Sequence, residues 1–563
     1  MSLPASHSSV STAPAERAPR ASATLVVVRD APAGVEVLLL RRAESGDHNS
    51  GAWVFPGGMV DAGDREAEAF SFGLDDAQAS RRLGLQRGGL AFYVAAVREC
   101  FEESGLLFAC DAAGEPVSVA QAERLAEWRG VLHRNEQGLA AFCRTAGLAL
   151  ALDRLAYLSH WVTPLGRPKR FDTRFFVAEA PPGHTALHDD TELLEHRWLR
   201  PADALAQAGK LKLMTPTLKT LEALARFDGV QALMDWARSP REVPLTMPRI
   251  GTGSQGMRPV TPDEPAFAEL GRIDAAGHGT GCYEIQPGVA VRLSPRVIRV
   301  TAHNGSVMTG PGTNTYLVGG GPRNEWAAVD PGPHDPQHVD AVVAAAPGPI
   351  RWIFATHTHK DHSPAVALLM ARTGARTFGQ RPRHPEWQDL DFAPDQPLQG
   401  GERITLDEGV TLRAVHTPGH ASNHLCYVLE EEKTLFAGDH VMQQSTVVIN
   451  PPDGDMAAYI ASLRALLDED LEWIAPGHGF LMAEPERAIE WIIQHRLKRE
   501  AKVLNALRGL GPARAEALLP QVYDDVAPRL HGVAMRSLTA HLLKLQHDGV
   551  AAEAQGVWRI ATP

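Results

Sequence analysis

With 563 residues the chain exceeds one ordinary hydrophobic core, so two large domains plus a smaller unit are expected, and 44% hydrophobic with 22% charged residues is the balance of a folded protein. A net charge of −12 argues against bulk attraction to nucleic acid or anionic membrane. Five cysteines without a Cys-x-x-Cys exclude a disulfide framework or thiolate zinc site and fit the cytoplasm, and no apolar run is long enough to span a bilayer.

Residues 1–20, rich in Ser, Ala and Pro, lack the apolar segment of a secretory signal and read as a disordered tail. Over residues 21–238, β-rich runs (Thr24–Arg29, Val35–Arg41, Phe171–Ala178, Leu194–Leu199) alternate with helical patterns, which predicts an α/β or α+β domain. One helical pattern contains "RECFEESGL", with Glu99, Glu102 and Glu103 at i, i+3 and i+4. Such residues share a helix face, and their mutual repulsion calls for a divalent cation with a taste for oxygen, Mg²⁺ or Mn²⁺, while Arg98 can hold one carboxylate in place.

Residues 239–287 are rich in Pro, Gly and Thr and read as an inter-domain connection. From 288 to 484 come short apolar segments, among them Thr315–Val318, Trp326–Val329, Trp352–Ala355, Leu412–Val415, Leu425–Leu429, Thr434–Ala437 and Trp473–Ala475, with helical patterns at Pro364–Thr373 and Met456–Leu467. Ser363 is the expected N-cap of the first helix, Pro364 its first residue and Gly374 its stop. Residues 485–563 open with a long helix and end on "GVAAEAQGVWRI", whose Gln555-Gly556 predicts a hairpin turn.

"THTHKDH" crowds His357, His359, Asp361 and His362 into one strand-to-helix loop. His420 in "HTPGH", Asp439 in "FAGDH" and His478 in "APGHG" follow, each beside glycine after an apolar run. Imidazole suits zinc and carboxylate can bridge two ions.

This order and spacing resembles the metallo-β-lactamase fold, an αββα sandwich holding two metals at one edge. The resemblance implies two Zn²⁺: His357, His359 and His420 on the first, Asp361, His362 and His478 on the second, Asp439 between them and Asp361 also catalytic. His424 in "HASNH" implies a supporting or substrate-facing place beside them. "GPGTNTYLVG", "VDPG" and the C-terminal segment resemble the β-lactamase-like endoribonuclease branch, whose sandwich is followed by a winged helix, and imply single-stranded RNA as substrate. Against that, five Lys/Arg face five Asp/Glu from Pro512 to the end, so thioester hydrolysis of the glyoxalase II kind is the competing reading.

"RECFEESGL" with "FPGGMVDAGD" upstream resembles the Nudix box, and hence an α/β/α sandwich, with two departures: Asp64 stands for the family glutamate, and 33 residues separate it from Arg98. That insertion, "KRFDTRFF" and "EHRWLRPADAL" resemble the branch containing coenzyme A diphosphatases. The resemblance implies metal-dependent cleavage of a small nucleoside diphosphate-linked compound, with Arg98, Glu102 and Glu103 catalytic, Glu99, Glu102 and Glu103 on the metal, and Gly57, Gly58 and Arg170 facing substrate. A domain that senses a nucleotide without turnover is the alternative.

Overall fold

In the strands Arg20–Ala31 and Gly34–Arg42 the side chains alternate between two buried faces. Leu25, Val27, Leu38 and Leu40 enter one core, whereas Val26, Val28, Val37 and Leu39 enter another. A sheet apolar on both faces needs cover on both. The helix Leu90–Ser104 packs in the first core, and Thr215–Leu224 and Val230–Arg238 pack in the second. The computed structural model, which describes residues 18–43, 50–188 and 193–561, thus gives an α/β/α first unit ending at Pro248. The expected tail lies outside the described residues up to residue 17, and the first strand already begins at Arg20.

The second unit, Arg249–Pro563, holds two face-to-face sheets of seven and six strands. Tyr316, Phe354, Phe378, Leu412, Tyr427 and Phe436 fill the space between them. Outside the seven-stranded sheet, Val339, Val342, Val366 and Leu369 supply helical cover. Outside the other sheet, Tyr459, Ile460, Leu463, Ile489 and Ile492 do so. This is the expected αββα order.

The stretch expected as a connection contains ordered structure. Residues Arg249–Gly253 and Gly256–Val260 form a hairpin, followed by the helix Phe267–Ile273. Val260, Leu270 and Tyr283 pack on Phe480, and buried Glu269 accepts from both Nη atoms of Arg299 (2.5 and 2.9 Å) and from the Leu481 amide (2.8 Å). Apolar residues there are spaced too irregularly for periodicity to reveal them.

The helix after the histidine loop also starts differently from expectation. It spans Val366–Thr373, with Ala365 at the cap, because the Ser363 hydroxyl donates to Asp389 (2.9 Å) and the chain first turns through His362 N–H to His359 O (2.9 Å). Gly374 closes it in the left-handed region, as predicted.

The last segment has helices Pro485–Leu510, Ala515–Val522 and His531–His547, then a hairpin Ala551–Ala554/Val557–Ile560 turning at Gln555 (φ 54) and Gly556 (φ 78), as a two-residue turn requires. Among the described residues no helix is long and apolar enough to cross a membrane.

Candidate metal centre and carboxylate helix

Parallel pairing sets one edge of the second unit. Trp326–Val329 runs parallel to Ile350–Phe354, and Thr434–Gly438 parallel to Trp473–Pro476. Just beyond the ends of these strands come Asp330, His357, Asp439 and His478. Asn314, from "TNTY", ties the two sheets there: its Nδ2 donates to the carbonyls of Pro476 (3.0 Å) and Gly479 (2.9 Å), and the Tyr316 hydroxyl donates to the former (2.7 Å).

All seven expected side chains meet. His357 Nε2 and His420 Nε2 lie 3.0 and 2.9 Å from His359 Nδ1. His478 Nε2 lies 3.4 Å from Asp361 and 3.2 Å from Asp439, and His362 Nε2 lies 3.4 Å from each.

The outward nitrogens fix the tautomers. The Thr356 hydroxyl donates to Asp330 (2.7 Å), so it accepts from His357 Nδ1 (3.0 Å). His420 Nδ1 donates to Val448 O (2.8 Å), His478 Nδ1 to Gly312 O (3.1 Å) and His362 Nδ1 to Asp330 (2.9 Å). Protons held on these atoms turn the Nε2 atoms inward, where a cation at their centre would take the place of a second proton. Buried His362 Nε2 and Asp439 Oδ1 have no hydrogen-bond partner, which fits the same reading.

Electrostatics divide the cluster. Burial, then neighbouring imidazoles, holds His357 well below its usual range and His359 at about 3. Burial also opposes charge on His478, but Asp439 and Asp361 push it up to about 9. For Asp361 and Asp439 burial favours the neutral form, and the facing imidazoles outweigh it and hold both carboxyls below their usual range.

Residues 308–478 match the family model of the metallo-beta-lactamase superfamily, 69–223 the NUDT19 Nudix domain, and 515–558 the beta-lactamase associated winged helix domain. An atrochrysone carboxyl ACP thioesterase of Aspergillus chevalieri is 34% identical over 278 residues, 47% of this chain and 86% of that protein. The chain belongs to the metallo-β-lactamase superfamily. It is a hydrolase that also carries a Nudix domain and a winged helix. A beta-lactamase-like protein 2 homolog of Drosophila melanogaster is 33% identical over 275 residues, 46% of this chain and 90% of that one. A solved NUDIX hydrolase from Alicyclobacillus acidocaldarius is 31% identical, covering 39% of this chain and 96% of its own, with a TM-score of 0.33.

Within this metallo-β-lactamase unit, sequence reasoning missed Asp330, a buried residue at φ 50 whose carboxylate holds both Thr356 and His362. The signal was the carboxylate in "VDPG", directly after an apolar strand. Asp330→Ala is expected to weaken divalent-metal binding about 10–100-fold, as loss of such an outer partner does, and chelator competition measures it. His424 does not face substrate: it is wholly buried beneath His357 (ring centroids 5.0 Å), with Nδ1 2.9 Å from the Thr417 hydroxyl.

In the Nudix domain the glutamates lie on the last turns of Leu90–Ser104, which Gly105 ends in the left-handed region. Arg98 sits between them and wholly buried Asp64. Its Nε and Nη2 donate to the two Asp64 oxygens (2.7 and 3.1 Å), Nη2 also donates to Met59 O (2.8 Å), and Nη1 donates to Glu99 (3.0 Å) and Glu102 (3.3 Å). The shorter Asp64 therefore still meets Arg98 across the 33 residues that separate them. Burial pushes Glu99 up to about 7, Arg98 opposing and Glu102 adding to it, and burial also raises Glu102.

Gly57 and Gly58 lie against this helix. The Gly57 amide donates to Glu103 (2.9 Å), and a Cβ on Gly58 would stand 2.2 Å from Glu99 Oε1. Arg170 directs Nε to Thr163 O (3.1 Å) and Nη2 to the Met247 sulfur (3.5 Å). The glutamate oxygens do not gather as the imidazoles do: among the described residues, each set of three ligand atoms within 4.8 Å of one another lies in the second unit.

Proposed function

We propose that the chain is a two-headed hydrolase, a thioester hydrolase in the second unit and a diphosphatase in the first. The observation that carries the first assignment is a cavity of about 720 Å³ reaching His420, Asp439 and His478 and walled by Ile285, Met308 and Phe480. Its size is that of a small-ligand pocket, and its apolar wall suits an acyl chain. The thioesterase name of the Aspergillus chevalieri relative supports the same reading.

The imidazole-rich donor set suits zinc. His357, His359 and His420 would hold one ion, Asp361, His362 and His478 a second, with Asp439 shared. Such a pair, when bound, activates water and polarises the scissile carbonyl. The chain itself turns the Nε2 atoms of His357, His362, His420 and His478 inward by holding their Nδ1 atoms, and Thr313 steadies Asp361 by donating to it at 3.3 Å.

Single-stranded RNA is the second reading. Trp387 is 53% exposed, Arg536 lies 4.8 Å over its ring, and Gln388 next to it bridges to the backbone of His359. An exposed aromatic with a stacked guanidinium suits a nucleobase.

In the first unit, Glu99, Glu102 and Glu103 would hold Mg²⁺ or Mn²⁺, with Arg98 positioning the first two, to cleave a nucleoside diphosphate-linked compound. Coenzyme A is the candidate that unites the heads, since its acyl form has a thioester and a diphosphate. Acyl thioesters, labelled RNA and coenzyme A assayed in parallel test the proposal, with Glu102→Gln expected to abolish diphosphate cleavage and spare thioester cleavage. Cleavage of RNA alone would replace the thioester reading, and nucleotide binding without product would make the first unit a sensor.

A further inference from the structure

The cavity of the metal centre also carries a cation that its own chain does not neutralise. Arg496, on the helix Pro485–Leu510, lines the cavity and is 3% exposed. One Nη donates to Val447 O, the guanidinium lies 5.5 Å from the Tyr459 ring centroid, and Nε has no hydrogen-bond partner. Among the described residues it makes no ion pair with a carboxylate. Arg499, one turn on, contrasts with it: its guanidinium grips Asp525 at 2.6 and 3.1 Å and Val522 O at 2.5 Å.

The position of this charge is equally specific. Val448 O accepts from metal-facing His420 and the adjacent Val447 O accepts from Arg496, so one dipeptide ties the cation to the centre. A buried guanidinium without a counter-ion carries a desolvation cost that an entering anion offsets.

We propose that Arg496 determines specificity by binding an anionic group of the substrate, a carboxylate or a phosphate, borne near the bond that is cut. The choice of substrate rests on the thioester reading above. Anion binding by Arg496 does not.

The test uses three thioesters of one thiol: a neutral acyl group, one ending in carboxylate and one ending in phosphate. The unaltered chain should favour at least one anionic substrate by about tenfold or more in kcat/KM, the scale of a charged hydrogen bond. Arg496→Met should bring that ratio near one, through KM for the anionic substrate, and Arg496→Lys should restore part of it. Because methionine removes a buried unpaired charge, the Met variant should melt no lower than the parent.

In a second arm, succinate and inorganic phosphate are titrated into parent and Met variant at equal metal load. Binding that depends on Arg496 should appear for the anion matching the preferred thioester. If no thioester is cleaved yet Arg496-dependent binding persists, the thioester reading falls and the anion site stands. Equal binding of both anions by parent and variant overturns the proposal, as does a lower melting temperature with a uniform loss on all three thioesters, which marks a structural role.

Discussion

Asp439→Ala is expected to strip divalent metal from the second unit and to lower its kcat/KM by at least about 10³-fold, or ~4 kcal/mol. Asp439 lies 3.2 Å from His478, 3.4 Å from His362 and 3.7 Å from His420, so one carboxylate faces both halves of the centre. Removing it leaves those imidazoles to gather around a cation with less negative charge. Metal content per chain and turnover of the substrate that the parallel assays assign to the second unit report the outcome, with any activity of the first unit as the internal control. A variant that keeps its metal and a tenth of its turnover would refute the shared-ligand role.

Arg98→Met is expected to destabilise the first unit by about 3–5 kcal/mol, the cost of removing one partner from a buried ion pair. Wholly buried Asp64 and nearly buried Glu102 would lose the guanidinium that faces them, and Glu99 would lose it as well. For a unit of this size the melting transition should fall by roughly 10 °C. Calorimetry of the full chain reads this directly. A shift of a degree or two would mean that the carboxyls take up protons on losing Arg98, and titration of the variant would show it.

Much of this was legible in the sequence because strand ends announce themselves. Trp326–Val329 and Leu425–Leu429 match the expected runs to the residue, and the side chains of the candidate metal centre lie just past such runs. The carboxylate helix was legible for a similar reason, since i, i+3 and i+4 spacing fixes a shared face. Three-dimensional partnerships were harder to read. Ser363 has the chemistry of a cap, but Asp389, distant in sequence, takes its hydroxyl. Asp330 gives no periodic signal, and its importance emerges only when the Thr356 amide is seen on one of its oxygens and the Thr356 hydroxyl and His362 on the other. The buried state of Arg496 is likewise invisible in "RLKREAK", which reads as an ordinary solvated basic helix.

The Glu269–Arg299 pair bears on how this molecule could be divided. A polypeptide begun at residue 288 would carry Arg299, 2% exposed, with no opposing charge, and would lay bare the side of Phe480 that Leu270 and Tyr283 cover. The stretch ahead of the sandwich is therefore part of its masonry, and a cut that respects the core falls at Pro248.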